Sequence, residues 1–217
     1  MLLGGMEQVS EIRERLKSVY DRSLAFGLDK AEVDDFIYKV DNDEIILLNY
    51  IGKEETLLVP DWFDAVEEDI SSNRSCVFSI RQVIFTERVK RIGARAFCTW
   101  FNLTSISAPG VQVVEKSAFS SLEVLVEVKM PVLKVVKRKA FEDCVCLSEI
   151  TTNNVEFLGV SALSNTSLRS IDLTSLVVAG RECLANNHVL KTVKLPNRKF
   201  EANAGMFKNC TNLENVL

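Results

Sequence analysis

The segment Ile92-Gly93-Ala94-Arg95-Ala96-Phe97 decides the fold of this 217-residue chain, because its pattern returns downstream at a constant interval. It is repeated at Val114-Glu115-Lys116-Ser117-Ala118-Phe119 and again at Val136-Lys137-Arg138-Lys139-Ala140-Phe141, each time about 22 residues later. A constant interval of roughly 20 to 50 residues is the signature of a solenoid, in which each repeat contacts only its neighbours. The repeat therefore predicts the architecture before any single helix or strand is assigned.

A second pattern, L-x-x-[I/V], follows each copy of the first at a fixed offset and extends the array to six units. Its members are the pairs Leu103 and Ile106, Leu125 and Val128, Leu147 and Ile150, Leu168 and Ile171, Leu190 and Val193, and Leu213 and Val216. The first pattern drifts in the later units, which are Leu158 to Leu163, Ala179 to Leu184 and Ala202 to Phe207. The substitutions stay apolar where a shared core needs them.

Each unit is too short to bury its own apolar side chains, so stacking of neighbouring units must complete the core. We expect one short strand at each L-x-x-[I/V] step and one turn or short helix at each Ala-Phe step. The predicted fold is an α/β repeat solenoid, with short parallel strands on its concave face. One column of side chains is expected to form a continuous spine, namely Phe97, Phe119, Phe141, Leu163, Leu184 and Phe207.

From about Val89 to Leu217, the repeat I-G-x-x-A-F-x-x-C-x-x-L-x-x-I-x-L-P resembles the consensus of the BspA-like leucine-rich repeats. Cys144 and Cys210 stand where this consensus has cysteine, three residues after a phenylalanine. Other residues take that place in the remaining units, namely Trp100, Leu122, Thr166 and Asn187. This variation argues against a bond or a metal site that needs all six. The resemblance implies a leucine-rich-repeat stack, and it associates exported members with adhesion and surface binding.

Residues 1–88 differ from the array and are predicted to cap its amino-terminal end, where a solenoid exposes its core. Residues 1–33 contain an amphipathic helix, because apolar residues recur at three- and four-residue steps from Glu7 to about Leu24. Residues 34–88 are predicted to be a β-rich cap and a first irregular repeat, with a hairpin from Phe36 to Leu48 and a strand at 56–60. The leucine-rich repeats occupy residues 89–217. Alternatively, the helix pairs with another protein.

Composition excludes several classes of protein. Hydrophobic residues make up 47% of the chain and charged residues 26%, which is typical of a folded core. The net charge of −4 disfavours a nucleic-acid partner. Met1 to Gly5 lacks a basic, apolar leader and no membrane span is evident, so we expect a cytoplasmic protein, with a cell-surface location only if the amino end is incomplete. The six cysteines are then free thiols.

The sequence contains no recognisable catalytic, cofactor-binding or metal-binding constellation. The single histidine, His188, has no nucleophile elbow near it. Cys144 and Cys146 lack the second ligand pair that a zinc site needs, and Cys144 occupies a core position of the repeat. The nine glycines form no phosphate-binding loop, and the acidic run from Asp64 to Asp69 fits no calcium loop. We therefore predict no cofactor and no catalysis.

A binding surface is predicted from the residues that flank the buried position of each strand, because these point outward. The candidate residues on this concave face are Ser105, Ser107, Glu127, Lys129, Glu149, Thr151, Ser170, Asp172, Thr192 and Lys194. They offer hydrogen bonds but none of the aromatic anchors that dominate tight interfaces, so the face is equally compatible with a merely solvated sheet. Trp62, Phe63 and Phe101 are further anchor candidates if exposed, whereas Trp100 is expected to pack inward.

The function predicted from the sequence is non-catalytic binding of a protein partner, as a scaffold or binding module. One alternative is a self-assembling structural or surface adhesion protein. It would associate through its open carboxyl-terminal repeat, because Glu214 to Leu217 ends inside a strand step without a polar cap. The other explanation of this end is that the sequence is a fragment of a longer array. An enzyme is the least favoured class, since the residues for one are missing.

Overall fold

A computed structural model describes residues 36–41, 44–50, 52, 54–59, 63–66 and 79–217 of the chain. This part contains strands and turns without any helix. The strands are β1 Phe36–Asp41, β2 Glu44–Tyr50, β3 Thr56–Leu58, β4 Ala65–Val66, β5 Gln82–Ile84, β6 Arg91–Ile92, β7 Ser105–Ser107, β8 Val113–Val114, β9 Glu127–Lys129, β10 Val135–Val136, β11 Glu149–Ile150, β12 Phe157–Leu158, β13 Ser170–Asp172, β14 Val178–Ala179, β15 Thr192–Lys194, β16 Glu201–Ala202 and β17 Asn215–Val216.

Each turn of the solenoid contributes two strands, which belong to different sheets. The even-numbered strands, preceded by β1, form a long sheet of nine strands in the order β1-β2-β4-β6-β8-β10-β12-β14-β16. Only the β1–β2 hairpin in this sheet is antiparallel, and it confirms the predicted hairpin. In most of the two-residue strands one side chain points inward, as Val114 does, and its neighbour Val113 points outward. The alternation follows from the two-residue period of a strand.

The strands of the L-x-x-[I/V] pattern line a second side of the solenoid, as parallel ladders. They form a sheet of five strands, β3-β5-β7-β9-β11, and a sheet of three strands, β13-β15-β17. The leucine and the isoleucine or valine of each complete turn point inward, and Leu125 and Val128 are both at most 1% exposed. This part of the fold confirms the parallel strands predicted from the sequence.

The third side of the solenoid consists of the Ala-Phe segments. A turn or a short helix was expected for each of them, and the structure has turns. The residue two places before each phenylalanine equivalent has a left-handed backbone, with φ from 53° to 73°. These residues are Arg95, Ser117, Lys139, Ser161, Glu182 and Gly205. A left-handed residue cannot continue a right-handed helix. The helical component of the predicted α/β class is therefore wrong for the described residues.

These turns make a hydrogen-bond ladder of their own between successive repeats. The N–H of Ser117 donates to the carbonyl of Arg138 at 3.0 Å, and that of Phe119 donates to Ala140 at 2.9 Å. Corresponding bonds join the next turns, for example Lys139 to Val160 at 2.9 Å. Backbone donors that a helix would have used internally are thus satisfied by the neighbouring turn.

The predicted spine lies at the centre of the core. Its first five members, Phe97, Phe119, Phe141, Leu163 and Leu184, are fully buried, and Phe207 in the last turn is partly buried. The rings of Phe97 and Phe119 stack with centroids 5.2 Å apart, and those of Phe119 and Phe141 with centroids 5.1 Å apart. The strand spacing of about 4.8 Å sets these distances, because each turn adds one ring.

One turn of the array is shorter than its neighbours and divides the L-x-x-[I/V] side. Leu163 and Leu168 are five residues apart, whereas Phe141 and Leu147 in the preceding turn are six apart. At this place β11 pairs with β9 and β13 pairs with β15, but β11 and β13 do not pair. We call this gap between β11 and β13 the seam. The long sheet continues past it through β12 and β14.

The predicted amino-terminal helix in residues 1–33 lies outside the described residues, as do Trp62 and residues 67–69 of the acidic run. Thr56–Leu58 is the strand predicted at 56–60, and it pairs with β5 as the first member of the five-stranded sheet. Parallel stacking is therefore already present within residues 34–88, the region predicted to be a β-rich cap and a first irregular repeat.

Candidate protein-interaction surface

The ten candidate residues predicted from the sequence form two columns on the outer side of the L-x-x-[I/V] strands. We call this surface the ladder face. Ser105, Glu127 and Glu149 are register partners in one column, and Ser107 is paired with Lys129 in the other. Beyond the seam, Ser170 is paired with Thr192 and Asp172 with Lys194. Thr151 directly follows β11, and all ten side chains are exposed or half-buried.

Ion pairs organise the charged groups of the ladder face. Lys129 Nζ lies 2.6 Å from Glu127 Oε1, and this hydrogen bond and the charge of Glu127 raise the pKa of Lys129. The negative charge of Glu149 raises the pKa of Lys129 further. Beyond the seam, Lys194 Nζ lies 3.4 Å from Asp172 Oδ2. The hydroxyl of Thr174 donates to Asp172 at 2.8 Å, and this bond is the main reason that the pKa of Asp172 is lowered. The face presents fixed charges of both signs.

The seam crosses the ladder face and is bridged by side chains. Thr152 is 3% exposed and its hydroxyl donates to the carbonyl of Asp172 at 2.7 Å. In an uninterrupted turn a backbone N–H makes the equivalent bond, as Ala108 does to the carbonyl of Lys129 at 2.8 Å. Ser167 adds a backbone bond to Leu147 at 3.0 Å and a hydroxyl bond to Val145 at 2.6 Å.

A buried polar network joins the shortened turn to the next one, and it includes an asparagine at the position where the repeat consensus has cysteine. Cys144 and Cys210 each donate a thiol hydrogen to the carbonyl of the spine residue one turn earlier, at 3.1 Å. Asn187 stands at the equivalent position and donates to Leu163 at 2.9 Å. Its side-chain oxygen accepts from the N–H and the hydroxyl of Thr166, at 2.7 and 2.6 Å.

The aromatic anchor candidates lie in different environments. Trp100 is 1% exposed, as expected from its core position, and Phe63 is fully buried. Phe101 is 50% exposed at the corner between the Ala-Phe turns and the ladder face. It is the aromatic anchor candidate that the described structure leaves accessible to a partner.

Among the described residues, those with reactive side chains lie apart from one another. His188 is exposed, and no group of three metal-ligating side chains occurs among the described residues. Burial raises the pKa of Cys144 to about 12, so this thiol stays protonated at neutral pH. Cys146 is exposed. In the described part of the chain, no helix is long and apolar enough to cross a membrane.

The comparison with protein families settles what kind of repeat this is. Six copies of the BspA type leucine rich repeat region match the chain, at residues 68–187 and 114–217. The chain belongs to this family. The matched residues begin upstream of Val89, where the resemblance in the sequence becomes visible by inspection.

Two solved structures are similar to this BspA type repeat protein. A leucine rich repeat protein from T. pallidum is 22% identical with a TM-score of 0.63, and the similarity covers 83% of this chain and 88% of that one. A leucine rich cell surface protein from Faecalibacterium prausnitzii A2-165 is 16% identical with a TM-score of 0.55, covering 79% of this chain and 55% of that one. The chain thus spans little more than half of the second protein. A search of curated proteins gives no match.

The outer face of the long sheet is a further surface, and the sequence reasoning missed it. Val113, Val135, Phe157 and Val178 lie there in register, six residues before successive spine residues. That fixed offset is the signal that could have identified them. It was overlooked because the BspA type repeat was assigned only one strand per unit, whereas the structure has two.

Proposed function

We propose that this BspA type repeat protein is a non-catalytic binding module whose protein partner contacts the ladder face. The observation that carries the proposal is the alignment of ten polar or charged side chains in two columns across five consecutive turns. Neighbouring turns are about 4.8 Å apart, so the columns extend over roughly 19 Å. A surface of that length suits an extended segment or an edge of a partner.

Three properties of the ladder face support recognition of a polar partner segment. Serine and threonine hydroxyls both donate and accept hydrogen bonds. The pairs Lys129–Glu127 and Lys194–Asp172 place charges of both signs at fixed positions on each side of the seam. Complementary charges mainly set specificity and the rate of association. Phe101 adds an exposed apolar contact at the border of the face.

The test compares a ladder-face variant with a matched control. Lys129→Glu combined with Lys194→Glu reverses one charge on each side of the seam, and Lys199→Glu reverses an exposed lysine outside the ladder face. Proteins that the wild-type chain captures from the source cells are quantified for the wild type, the double variant and the control. The captured protein that binds the wild type most strongly is then titrated against all three. We expect the double variant to weaken its binding about tenfold or more and the control to leave it unchanged. Equal binding by all three contradicts the proposal.

We infer a reducing compartment, the cytoplasm, as the place where the protein acts. Support comes from the described cysteines, which are all free thiols, namely Cys98, Cys144, Cys146, Cys183 and Cys210. Free thiols persist in the cytoplasm and tend to oxidise outside it. Fractionation of the source cells tests this inference. Recovery of the protein at the cell surface contradicts it and favours the adhesion alternative.

A further inference from the structure

An apolar ribbon runs along the outer face of the long sheet, on a different side of the solenoid from the ladder face. Its members are Val113, Val135, Phe157 and Val178, which are register partners on four consecutive strands. Phe157 is 37% exposed, and the three valines are half-buried. Charged residues end the ribbon on both sides, since Arg91 pairs with Val113 and Glu201 with Val178.

Apolar side chains outside these strands widen the ribbon. Val132, Val160 and Val177 are 36% to 39% exposed and lie in the loops that enter or leave β10, β12 and β14. Gly159 and Gly180 follow the ribbon strands without adding a side chain, because a Cβ there would meet the backbone of the preceding turn. An apolar strip of this kind, bordered by polar residues, is typical of an interaction site.

A basic row borders the ribbon along one edge. Lys116, Arg138 and Arg181 each follow a ribbon residue by three positions, and all three are exposed. Val160 has the equivalent position after Phe157, so the row has basic residues on three of the four turns. Backbone bonds from the adjacent turns show that these positions stack, as Ser117 donates to Arg138 and Ser161 to Arg181. No ion pair involves these three residues within the described structure, whereas the nearby Lys137 is neutralised by Glu115 at 2.7 Å. The row therefore presents uncompensated positive charge, although the whole chain is acidic.

We propose that the apolar ribbon and the basic row dock an amphipathic α-helix of another protein whose apolar stripe is bordered by acidic side chains. The spacing favours a helix over an extended strand. Successive helical turns are about 5.4 Å apart, close to the roughly 4.8 Å between solenoid turns, so each ribbon residue meets one helical turn. Same-face residues of an extended strand are about 6.8 Å apart and lose this match.

Charge complementarity selects the acidic partner. Carboxylates placed one helical turn apart along the flank of the partner face Lys116 and Arg138 on adjacent turns, and Arg181 two turns further on. A lipid surface is the less suitable occupant because short valine side chains on a sheet do not reach beyond the long lysine and arginine side chains beside them. An amphipathic helix can instead bring its own apolar side chains into contact with the ribbon.

The test uses the full-length chain and a fluorescein-labelled amphipathic peptide of about 18 residues, roughly 27 Å as a helix. One version carries leucine along a single stripe with glutamate on both flanks, and the other replaces every glutamate with lysine. Anisotropy titrations are performed on wild-type protein, on Lys116→Glu with Arg138→Glu, and on Phe157→Ser. Arg169→Glu reverses an exposed charge outside the ribbon, the basic row and the ten ladder-face residues, and it is the matched control. Vesicles of phosphatidylglycerol are titrated in parallel.

We expect the glutamate peptide to bind the wild type and the Arg169→Glu control equally. Binding should weaken about tenfold or more in the Lys116→Glu, Arg138→Glu protein, weaken in Phe157→Ser, and decrease as salt is raised. The proposal is overturned if the glutamate peptide does not bind, if the lysine peptide binds equally well, or if the charge reversal has no effect. Binding of the vesicles in place of the peptide also overturns it. The charge-reversed residues are exposed, so a thermal melt should confirm an intact fold.

Discussion

At the scale of single residues, the position three places after each spine residue shows how one geometric task can be met by different side chains. A thiol from Cys144 or an amide from Asn187 donates to the carbonyl of the spine residue one turn earlier. Leu122 fills the same position with no polar group at all. The role that all residues at this position share is therefore packing in the core, and a hydrogen bond is added where the side chain has a donor.

Among the residues at this position, Asn187 should cause the largest loss of stability when it is replaced, because all of its side-chain hydrogen-bonding groups are used. Asn187→Leu leaves the N–H and hydroxyl of Thr166 without their acceptor, and we expect the free energy of unfolding to fall by about 2 kcal/mol. Urea denaturation measures the loss. Combining it with Thr166→Val should cost less than the sum of the two single changes, because the second change removes the orphaned hydroxyl. Strict additivity of the two changes would show that the buried network is energetically unimportant.

The cysteines should differ sharply in reactivity with an alkylating reagent at pH 8. Burial raises the pKa of Cys144 and of Cys183 to about 12, so neither forms the reactive thiolate in the folded protein. The exposed Cys146 should be modified first, and mass spectrometry of proteolytic peptides identifies the sites. Modification of Cys144 at the rate of Cys146 in folded protein contradicts the structure.

The same pKa shifts give a stability effect with a defined sign. The pKa of such a thiol is raised from the ordinary 9.0 to about 12 in the folded protein. Below pH 9 the thiol is protonated in both the folded and the unfolded chain, so its support of the folded state is fully present. That support is lost as the pH rises from 9 towards 12, because the unfolded chain ionises first and the folded core resists ionisation. Urea midpoints should therefore be flat below pH 9, as far as these two thiols determine them, and decrease above it.

At the scale of elements, the close contact between neighbouring turns explains why glycine stands in some repeats where others have a side chain. An added Cβ at Gly180 would lie 2.5 Å from the carbonyl carbon of Gly159. The next turn has Asn203 at the equivalent position, and that side chain is exposed. The turn that contains Gly180 and the preceding turn therefore approach each other too closely for a side chain at this position.

Replacing this glycine should consequently destabilise the array. We expect Gly180→Ala to lower the free energy of unfolding by about 1 to 3 kcal/mol, because the backbone of the preceding turn must move. Asn203→Ala is the matched control, which removes a hydrogen bond from the side chain to the carbonyl of Ala179 and should cost about 1 kcal/mol or less. Thermal or urea unfolding of both variants provides the comparison. A smaller loss for Gly180→Ala than for Asn203→Ala would contradict the packing described here.

The sequence predicted the strands better than it predicted the turns. The L-x-x-[I/V] step at Leu125 and Val128 recurs from unit to unit, and Val128 stands between two polar residues, so the strand could be inferred from the repeat. The left-handed turn at Lys139 could not, because lysine has no preference for that conformation and the hydrogen bonds to the next turn impose it. The six-residue Ala-Phe segment is too short for helical periodicity to decide the question.

The candidate site was predicted to a similar extent. Register places Glu127 beside Glu149 as expected, because side-chain direction follows from the buried neighbours. The seam was not foreseen, although the single missing residue between Leu163 and Leu168 is visible in the sequence. Its consequence depends on whether two strands still pair across the shortened turn, and that is decided by three-dimensional packing rather than by residue type.

At the scale of the whole molecule, the seam divides one side of an otherwise continuous solenoid. The long sheet and the spine cross it without interruption, whereas the ladder face is joined there by side chains such as Thr152. Solenoid stability is a sum of repeat and neighbour-interface contributions. The interface at the seam should therefore be a weak point of the ladder face.

Hydrogen exchange tests this weakness. Thr152→Val preserves the shape of the side chain but removes its bond to Asp172, and we expect the Ser167 amide, which bridges the seam, to exchange about fivefold faster. The amide of Val126, bonded to Thr104 within the five-stranded sheet, should be unchanged. Equal acceleration at both amides would indicate global destabilisation and no special role for the seam.

The measurement that most directly tests the proposed binding function is site-specific photo-cross-linking of the full chain in its source cells. A photoreactive residue is placed in turn at Ser107, Ser170 and Thr192 on the ladder face, and at Asn153 and Ser120 outside it. The account predicts that one partner is cross-linked from the three ladder-face positions, on both sides of the seam, and from neither control position. A partner cross-linked only from Asn153 or Ser120 would contradict the assignment of the ladder face as the binding surface.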